Sequence, residues 1–233
     1  MLIAIDGPSG AGKGTVARAV SDALRCRHVD TGAMYRAIAW RALDLGIPLD
    51  DDAAVAAMAR RAVLEVEHGR VVVDGHDVTQ AIRTPQMDAA AATVARLPRV
   101  REVLVERQRA YAAEGDLVME GRDIGTVVLP QAHVKVYLDA STEERARRRA
   151  GDAGHAARGG DVGAIATALG QRDHSDRSRT VSPLAQAPDA VYIDTTGLPV
   201  GEVVGRVLAL VHSTPRGGGR RGRASSGGAL PPL

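Results

Sequence analysis

Gly7-Pro8-Ser9-Gly10-Ala11-Gly12-Lys13-Gly14-Thr15 follows an apolar run, Leu2 to Ile5, and leads into a segment rich in Ala, Val and Leu. Strand, glycine loop and helix in that order make a phosphate-binding loop, in which backbone N–H groups at a helix N-terminus cradle phosphate oxygens and a lysine reaches the outer phosphates. The flanking strand and helix separate this stretch from an ordinary glycine turn. One position departs from the common pattern, because Gly14 stands directly after the lysine and the hydroxyl comes one residue later, at Thr15. Gly7, Pro8, Ser9, Gly10, Ala11, Gly12, Lys13, Gly14 and Thr15 are the expected nucleotide-phosphate site. Lys13 stabilises charge on the transferring group, and Thr15 is the hydroxyl expected near a magnesium ion, directly or through a water.

Outward from the loop, Val16, Ala17, Val20, Ala23 and Leu24 form a helical stripe. Arg27 to Asp30 reads as a second strand, and Thr31 as the N-cap of a helix from Ala33 to Leu45 that stops at Gly46-Ile47-Pro48. Thr31 and Arg36 then sit at the carboxyl edge of a parallel α/β sheet, where ligands bind. Asp51 to Ala62 is a short helix. The period then changes to alternation at Leu64 to His68, with turns at Gly69-Arg70 and Asp74-Gly75 around Val71-Val72-Val73, a small antiparallel island inserted into an α/β chain. Helices follow over 85–95 and 98–114, with Pro98 at a first helical position. Leu117 to Met119 and Val134 to Leu138 are buried-type strands; Ser141 or Thr142 caps a helix containing Arg145, Arg147, Arg148 and Arg149. Residues 151–160 read as mobile loop, Asp161 to Arg172 as helix, and Ala190 to Asp194 and Val200 to His212 as a closing strand and helix. From Thr214 onward the Gly, Arg, Ser and Pro content predicts disorder.

The chain has 233 residues, 45% of them apolar, enough for one domain with an insertion or a small satellite. No signal peptide or membrane span is expected, and the single cysteine, Cys26, forms no intrachain disulfide, so a reducing cytoplasm is the expected location. The net charge is +2, but residues 214–233 carry Arg216, Arg220, Arg221 and Arg223 without an acid; removing these four charges leaves the body at −2. Any attraction to nucleic acid belongs to the tail, and none is expected of the folded body. Lysine occurs only at positions 13 and 135 in a chain rich in arginine, so Lys13 is retained where a compact, mobile ammonium suits phosphate.

Arg60, Arg61, Arg70, Arg96, Arg107, Arg109 and Arg147 read as solvated or paired surface residues. Arg36, Arg122, Arg172, Arg177 and Arg179 belong to segments at the strand edges, where guanidinium forks suit phosphoryl transfer. Asp123 and Asp176 would receive base or sugar donors, or support arginines, since a carboxylate facing phosphate is repulsive. His174, with no nucleophile beside it, reads as structural.

Taken together, Asp6 to Thr15, Asp30-Thr-Gly-Ala-Met-Tyr-Arg36, Pro98-Arg-Val-Arg101, Glu120-Gly-Arg-Asp-Ile-Gly-Thr126, Leu138 to Ala146 and Arg172-Asp-His-Ser-Asp-Arg-Ser-Arg179 resemble the bacterial cytidylate kinases, in order over residues 1–213. Lysine followed by Gly-Thr is also the form seen in nucleoside monophosphate kinases, and no Asn-Lys-x-Asp guanine signature is present. The resemblance implies an α/β P-loop kinase: a parallel central sheet flanked by helices, a small antiparallel insert in the monophosphate-binding region and a mobile lid. It implies transfer of the ATP γ-phosphoryl to CMP and dCMP with Mg2+. Thr31, Arg36, Arg101, Arg122, Asp123, Arg172 and Asp176 would bind CMP, and Lys13, Arg122, Arg172 and Arg179 would be the catalytic set. The implied division is a core of residues 1–46, 96–149 and 179–213, an insert at 47–95, a lid at 150–178 and a tail at 214–233, in a monomer.

Three positions depart from the family pattern: Thr31 for the commoner serine, Ala92 where many members place a serine near the nucleoside, and Ser175 where relatives are often basic. Two other readings compete with this one. One is a kinase for UMP, AMP or shikimate; the other is a nucleotide-dependent switch or nucleic-acid-associated protein working through the Arg/Gly tail.

Overall fold

The computed structural model describes residues 1–67, 69–151 and 161–215. The expected mobile loop at 151–160, apart from Gly151, and the tail from Arg216 onward lie outside the described residues. Along the chain run β1 (Leu2–Asp6), α1 (Lys13–Leu24), β2 (Arg27–Asp30), α2 (Thr31–Asp44), α3 (Asp52–Arg61), β3 (Leu64–Glu67), β4 (Arg70–Val73) and β5 (His76–Asp77). They are followed by α4 (Pro85–Val94), α5 (Pro98–Ala113), β6 (Leu117–Gly121), a π-helical turn at Ile124–Val128, β7 (Val134–Asp139), α6 (Thr142–Gly151), α7 (Val162–Arg177), β8 (Val191–Asp194) and α8 (Val200–Ser213).

Five strands form one parallel sheet in the order β2-β6-β1-β7-β8. Its register aligns the carboxyl ends: Asp6 lies opposite Gly121 and Tyr137, Asp30 opposite Glu120, and Asp139 opposite Asp194. Strand alternation divides the interior into two layers. Ala4, Val29, Leu117 and Met119 face α2 and the elements around it, while Ile3, Ile5, Val118, Val136 and Leu138 face α1 and α8. Helix α8 presents Val203, Val207 and Val211, spaced four residues apart, to that second layer.

The antiparallel island forms a three-stranded sheet, β3-β4-β5, with Leu64 opposite Val73 and Val72 opposite Asp77. Its buried Val66, Val71 and Val73 join the α2 layer. No helix among the described residues is long and apolar enough to cross a membrane.

Two local expectations are corrected, at the start of α2 and the end of α7, and one further segment takes an unusual form. Thr31 is not the N-cap of α2: Asp30 is, its Oδ1 accepting from the Ala33 N–H at 2.9 Å, which leaves the Thr31 hydroxyl to donate to the Glu120 carbonyl at 2.7 Å. The segment after Asp123 winds into a π turn, because Asp6 accepts the N–H groups of Ile124 and Gly125 that open it. Helix α7 continues beyond Arg172 to Arg177, so Arg172 and Asp176 lie one turn apart on a single face.

Candidate active site

The phosphate loop is shaped by close approach. Gly7 has φ 144°, and a Cβ there would lie 1.9 Å from the Leu138 carbonyl oxygen of the neighbouring strand, so only glycine fits. Gly12 takes a left-handed conformation, and α1 starts immediately after it, at Lys13. Gly14 has a different reason. A Cβ at that position would meet Glu120 Oε1 at 3.1 Å, and this carboxylate is itself held 3.1 Å from His28 Nε2. Glu120 occupies the space that a side chain following the lysine would need.

Lys13 is buried, and its Nζ donates to the Pro8 carbonyl at 2.7 Å. Burial strips water from the ammonium and the nearby Arg122 repels it; Glu120 and Asp6 oppose this, and the balance lowers the pKa to about 7. At the root of the loop Asp6 is raised to about 6, because burial outweighs the two backbone N–H groups that bind its carboxylate.

A cleft of about 1220 Å³ is lined by the loop and by Thr31, Arg36, Arg101, Arg122, Asp123, Arg172, Asp176 and Arg179. Of the residues expected from sequence at positions 9–15 and 31–179, all but Arg177 line this one cleft; Arg177 is exposed and interacts with Tyr137, and Gly7 and Pro8 lie outside the lining. The carboxylates support arginines. Arg122 Nε donates to Asp176 Oδ2 at 2.9 Å, Arg179 pairs with Asp176 Oδ1, and Arg101 pairs with Asp123 in the interior. Arg36 Nη2 donates to Asp30 Oδ2 at 3.0 Å. Burial raises the Asp176 pKa, but Arg122, Arg179 and Arg172 outweigh it and hold the carboxyl below its usual range. Arg172 falls to about 9, through burial first and then repulsion from Arg122.

Several buried donors in this half of the cleft have no partner in the protein: the Nε atoms of Arg36, Arg101, Arg172 and Arg179, and the Tyr35 hydroxyl. A buried donor without an acceptor costs about 1–3 kcal/mol, and all five of these belong to residues that line the cleft. Ala92 presents only a methyl to the cleft, whereas Thr93 is exposed and back-bonds to the Ala89 carbonyl at 3.3 Å. Cys26 is half-buried, with its thiol pKa pushed up by burial, and His174 is exposed.

Sequence reasoning missed Arg145. It is 4% exposed, and its guanidinium donates to the carbonyls of Ser9 at 3.1 Å and Ala140 at 3.0 Å and to Asp173 Oδ2 at 2.5 Å, tying the phosphate loop to α7. Among four arginines on one short helix, only the helical phase singles it out. The bridging role of Asp6 was also missed, although its place between strand and glycine loop is a usable signal.

Among the described residues no group of three or more His, Cys, Asp or Glu side chains is arranged to hold a metal ion. Thr15 is exposed at the cleft rim. One hydroxyl suits a hard cation that keeps its water and takes most of its remaining ligands from substrate phosphates.

An anion cradle at the carboxyl edge of a parallel sheet, faced by arginines around a second anion site, defines a P-loop phosphotransferase that brings two phosphorylated small molecules together. The family model described as cytidylate kinase matches residues 3–213, and the chain belongs to that family of nucleoside monophosphate kinases. The chain is 49% identical over 215 residues to the cytidylate kinase of Desulfitobacterium hafniense, covering 91% of this chain and 93% of that protein. It is 48% identical over 216 residues to the cytidylate kinase of Geobacillus kaustophilus, covering 90% and 96%. A solved structure of an uncharacterized protein from Eubacterium ventriosum aligns over 91% of this chain and 99% of its own, with TM-score 0.52 and 11% identity, a likeness of fold alone.

Proposed function

We propose that this protein transfers the γ-phosphoryl group of ATP to CMP and dCMP, with ATP on residues 7–15 and the acceptor among Thr31, Arg36, Arg101, Arg122, Asp123, Arg172 and Asp176. The observation that carries the proposal is the group of arginines, Arg36, Arg101, Arg122, Arg172 and Arg179, that lines one cleft together with the phosphate loop. Phosphoryl transfer through a loose transition state needs positioning and charge stabilisation rather than a strong base. Lys13, Arg122, Arg172 and Arg179 supply the positive charge. Thr15 would help hold magnesium, which would take most of its other ligands from water and the ATP phosphates and supply neutralising charge there. The segment 150–178 acts as a lid, bringing Arg172 and Asp176 of α7 over the site and excluding water that would hydrolyse ATP. Residues 47–95 form the acceptor-binding insert, the core comprises 1–46, 96–149 and 179–213, and the protein works as a monomer in the cytoplasm.

An ADP-release assay across CMP, dCMP, UMP, AMP and shikimate tests the acceptor. CMP and dCMP are expected to turn over best; equal or better use of UMP or AMP overturns the cytidine assignment. In the same assay Arg122→Ala is expected to impair CMP use while leaving the KM for ATP within about threefold, because its guanidinium faces the acceptor side.

The lowered pKa of Lys13 gives a second test. Above about pH 7 the free enzyme holds a neutral amine, whereas a polyphosphate favours the ammonium, so binding draws a proton from solution. Calorimetry of a non-hydrolysable ATP analogue in buffers of different ionisation enthalpy is expected to find proton uptake at pH 8 that fades towards pH 6. Equal heats in all buffers at pH 8 would contradict the assignment.

A further inference from the structure

Asp88, on the cleft side of α4, belongs to none of the motifs discussed above, yet arginines from three elements converge on it. Arg149 of α6 pairs with Oδ2, Arg172 Nη1 of α7 lies 3.5 Å from Oδ1, and Arg36 Nη1 of α2 lies 3.9 Å from the same oxygen. These cations crowd one another, and Arg149 and Arg36 both add to the repulsion at Arg172. Like charges gathered near a protein surface repel one another, so arginines that converge on one point need a shared counter-charge. Asp88 supplies it from the insert side of the cleft.

In both Arg36 and Arg172 the Nη1 atom turns towards Asp88, while the Nε atom is buried without a partner. Asp30 takes Nη2 of Arg36. A guanidinium fork held in place by carboxylates loses less freedom when it binds a second anion.

We propose that Asp88 is a positioning residue for the acceptor phosphate: it gathers Arg36 and Arg172, which line the same cleft, into a fixed cluster that receives the phosphate of the incoming monophosphate, and with Arg149 it links α4 to α6. The inference rests on the acceptor reading given above. Asp88 touches neither reactant and acts through the arginines, so its loss is felt in acceptor binding rather than at the phosphate loop.

The test is steady-state kinetics of the full chain and of Asp88→Asn, which keeps shape and removes charge, with CMP and ATP varied separately. The KM for CMP is expected to rise about tenfold, the loss of one charge-assisted contact, with kcat and the KM for ATP changed less than threefold and the melting temperature unchanged. Asp88→Glu, which restores the carboxylate one methylene further out, is expected to recover most of the loss. If Asp88→Asn melts markedly lower, Arg149→Gln breaks the same link from α6 and should raise the KM for CMP selectively. An unchanged CMP KM in a folded variant, an equal rise for ATP, or tighter CMP binding from removal of a competing anion would each overturn the proposal. Failure of the wild-type chain to use CMP would instead refute the acceptor reading, so the two failures are distinguishable.

Discussion

Lys13→Met is expected to lower kcat roughly 10³-fold while the melting temperature stays level or rises. The two effects have one origin. The ammonium is buried beside Arg122, and its pKa falls from 10.5 to about 7. At and below pH 7 the folded protein therefore carries the full cost of an ammonium that would sooner be in water. As pH rises from about 7 towards 10.5 the folded form sheds the proton that the unfolded chain keeps, so stability from this group increases with pH. Methionine fills a similar volume without that cost, and its advantage is largest at or below pH 7. In exchange, the charge growing on the transferring group loses the partner held for it. Calorimetric melting at pH 6.5 and pH 9 alongside single-turnover kinetics would check both halves; near-normal turnover would remove the lysine from the mechanism.

The second large effect concerns folding. Arg101 is 3% exposed, pairs with Asp123, donates to the Ala95 carbonyl at 3.3 Å and lies 5.5 Å from the centroid of the Tyr35 ring. Asp123→Ala strands a guanidinium in the interior and is expected to cost about 3–5 kcal/mol, a fall in melting temperature of roughly 6–20 °C for a chain of this size. Adding Arg101→Met removes the orphan and should restore much of the stability, but none of the affinity for CMP. A double-mutant cycle of chemical denaturation read beside CMP binding separates these effects. If the double variant is no more stable than Asp123→Ala, the pair is not the unit described.

The parts of the molecule readable from sequence are those with short-range grammar. Leu2 to Thr15 declares strand, loop and helix within fifteen residues, and the change of period at Leu64 announces the antiparallel sheet. The π turn at Ile124–Val128 was not readable, because Ile-Gly-Thr-Val-Val has the composition of a strand and winds only because Asp6, far away in sequence, accepts its first two N–H groups. Thr31 and Asp30 are both good caps side by side, and the contest was decided by the Glu120 carbonyl on a neighbouring strand. Arg145 and Arg147 look alike in sequence, yet one is 4% exposed beneath the phosphate loop and the other pairs with Glu144 in solvent. Asp88 carries no local mark at all. Its partners come from three separate elements, and only the assembled cleft brings them together.

The close approach of Glu120 to Gly14 also bears on how such a loop can change over generations. A serine at position 14, the residue that most phosphate loops carry after their lysine, would press its Cβ against a carboxylate already fastened to His28. At 3.1 Å the carboxylate must give by a few tenths of an ångström to admit that Cβ, so the step is easier once Glu120 has shortened. Positions 14 and 120, one on a helix and one on a strand far apart in sequence, are thereby coupled, so that a change at either alters what the other tolerates.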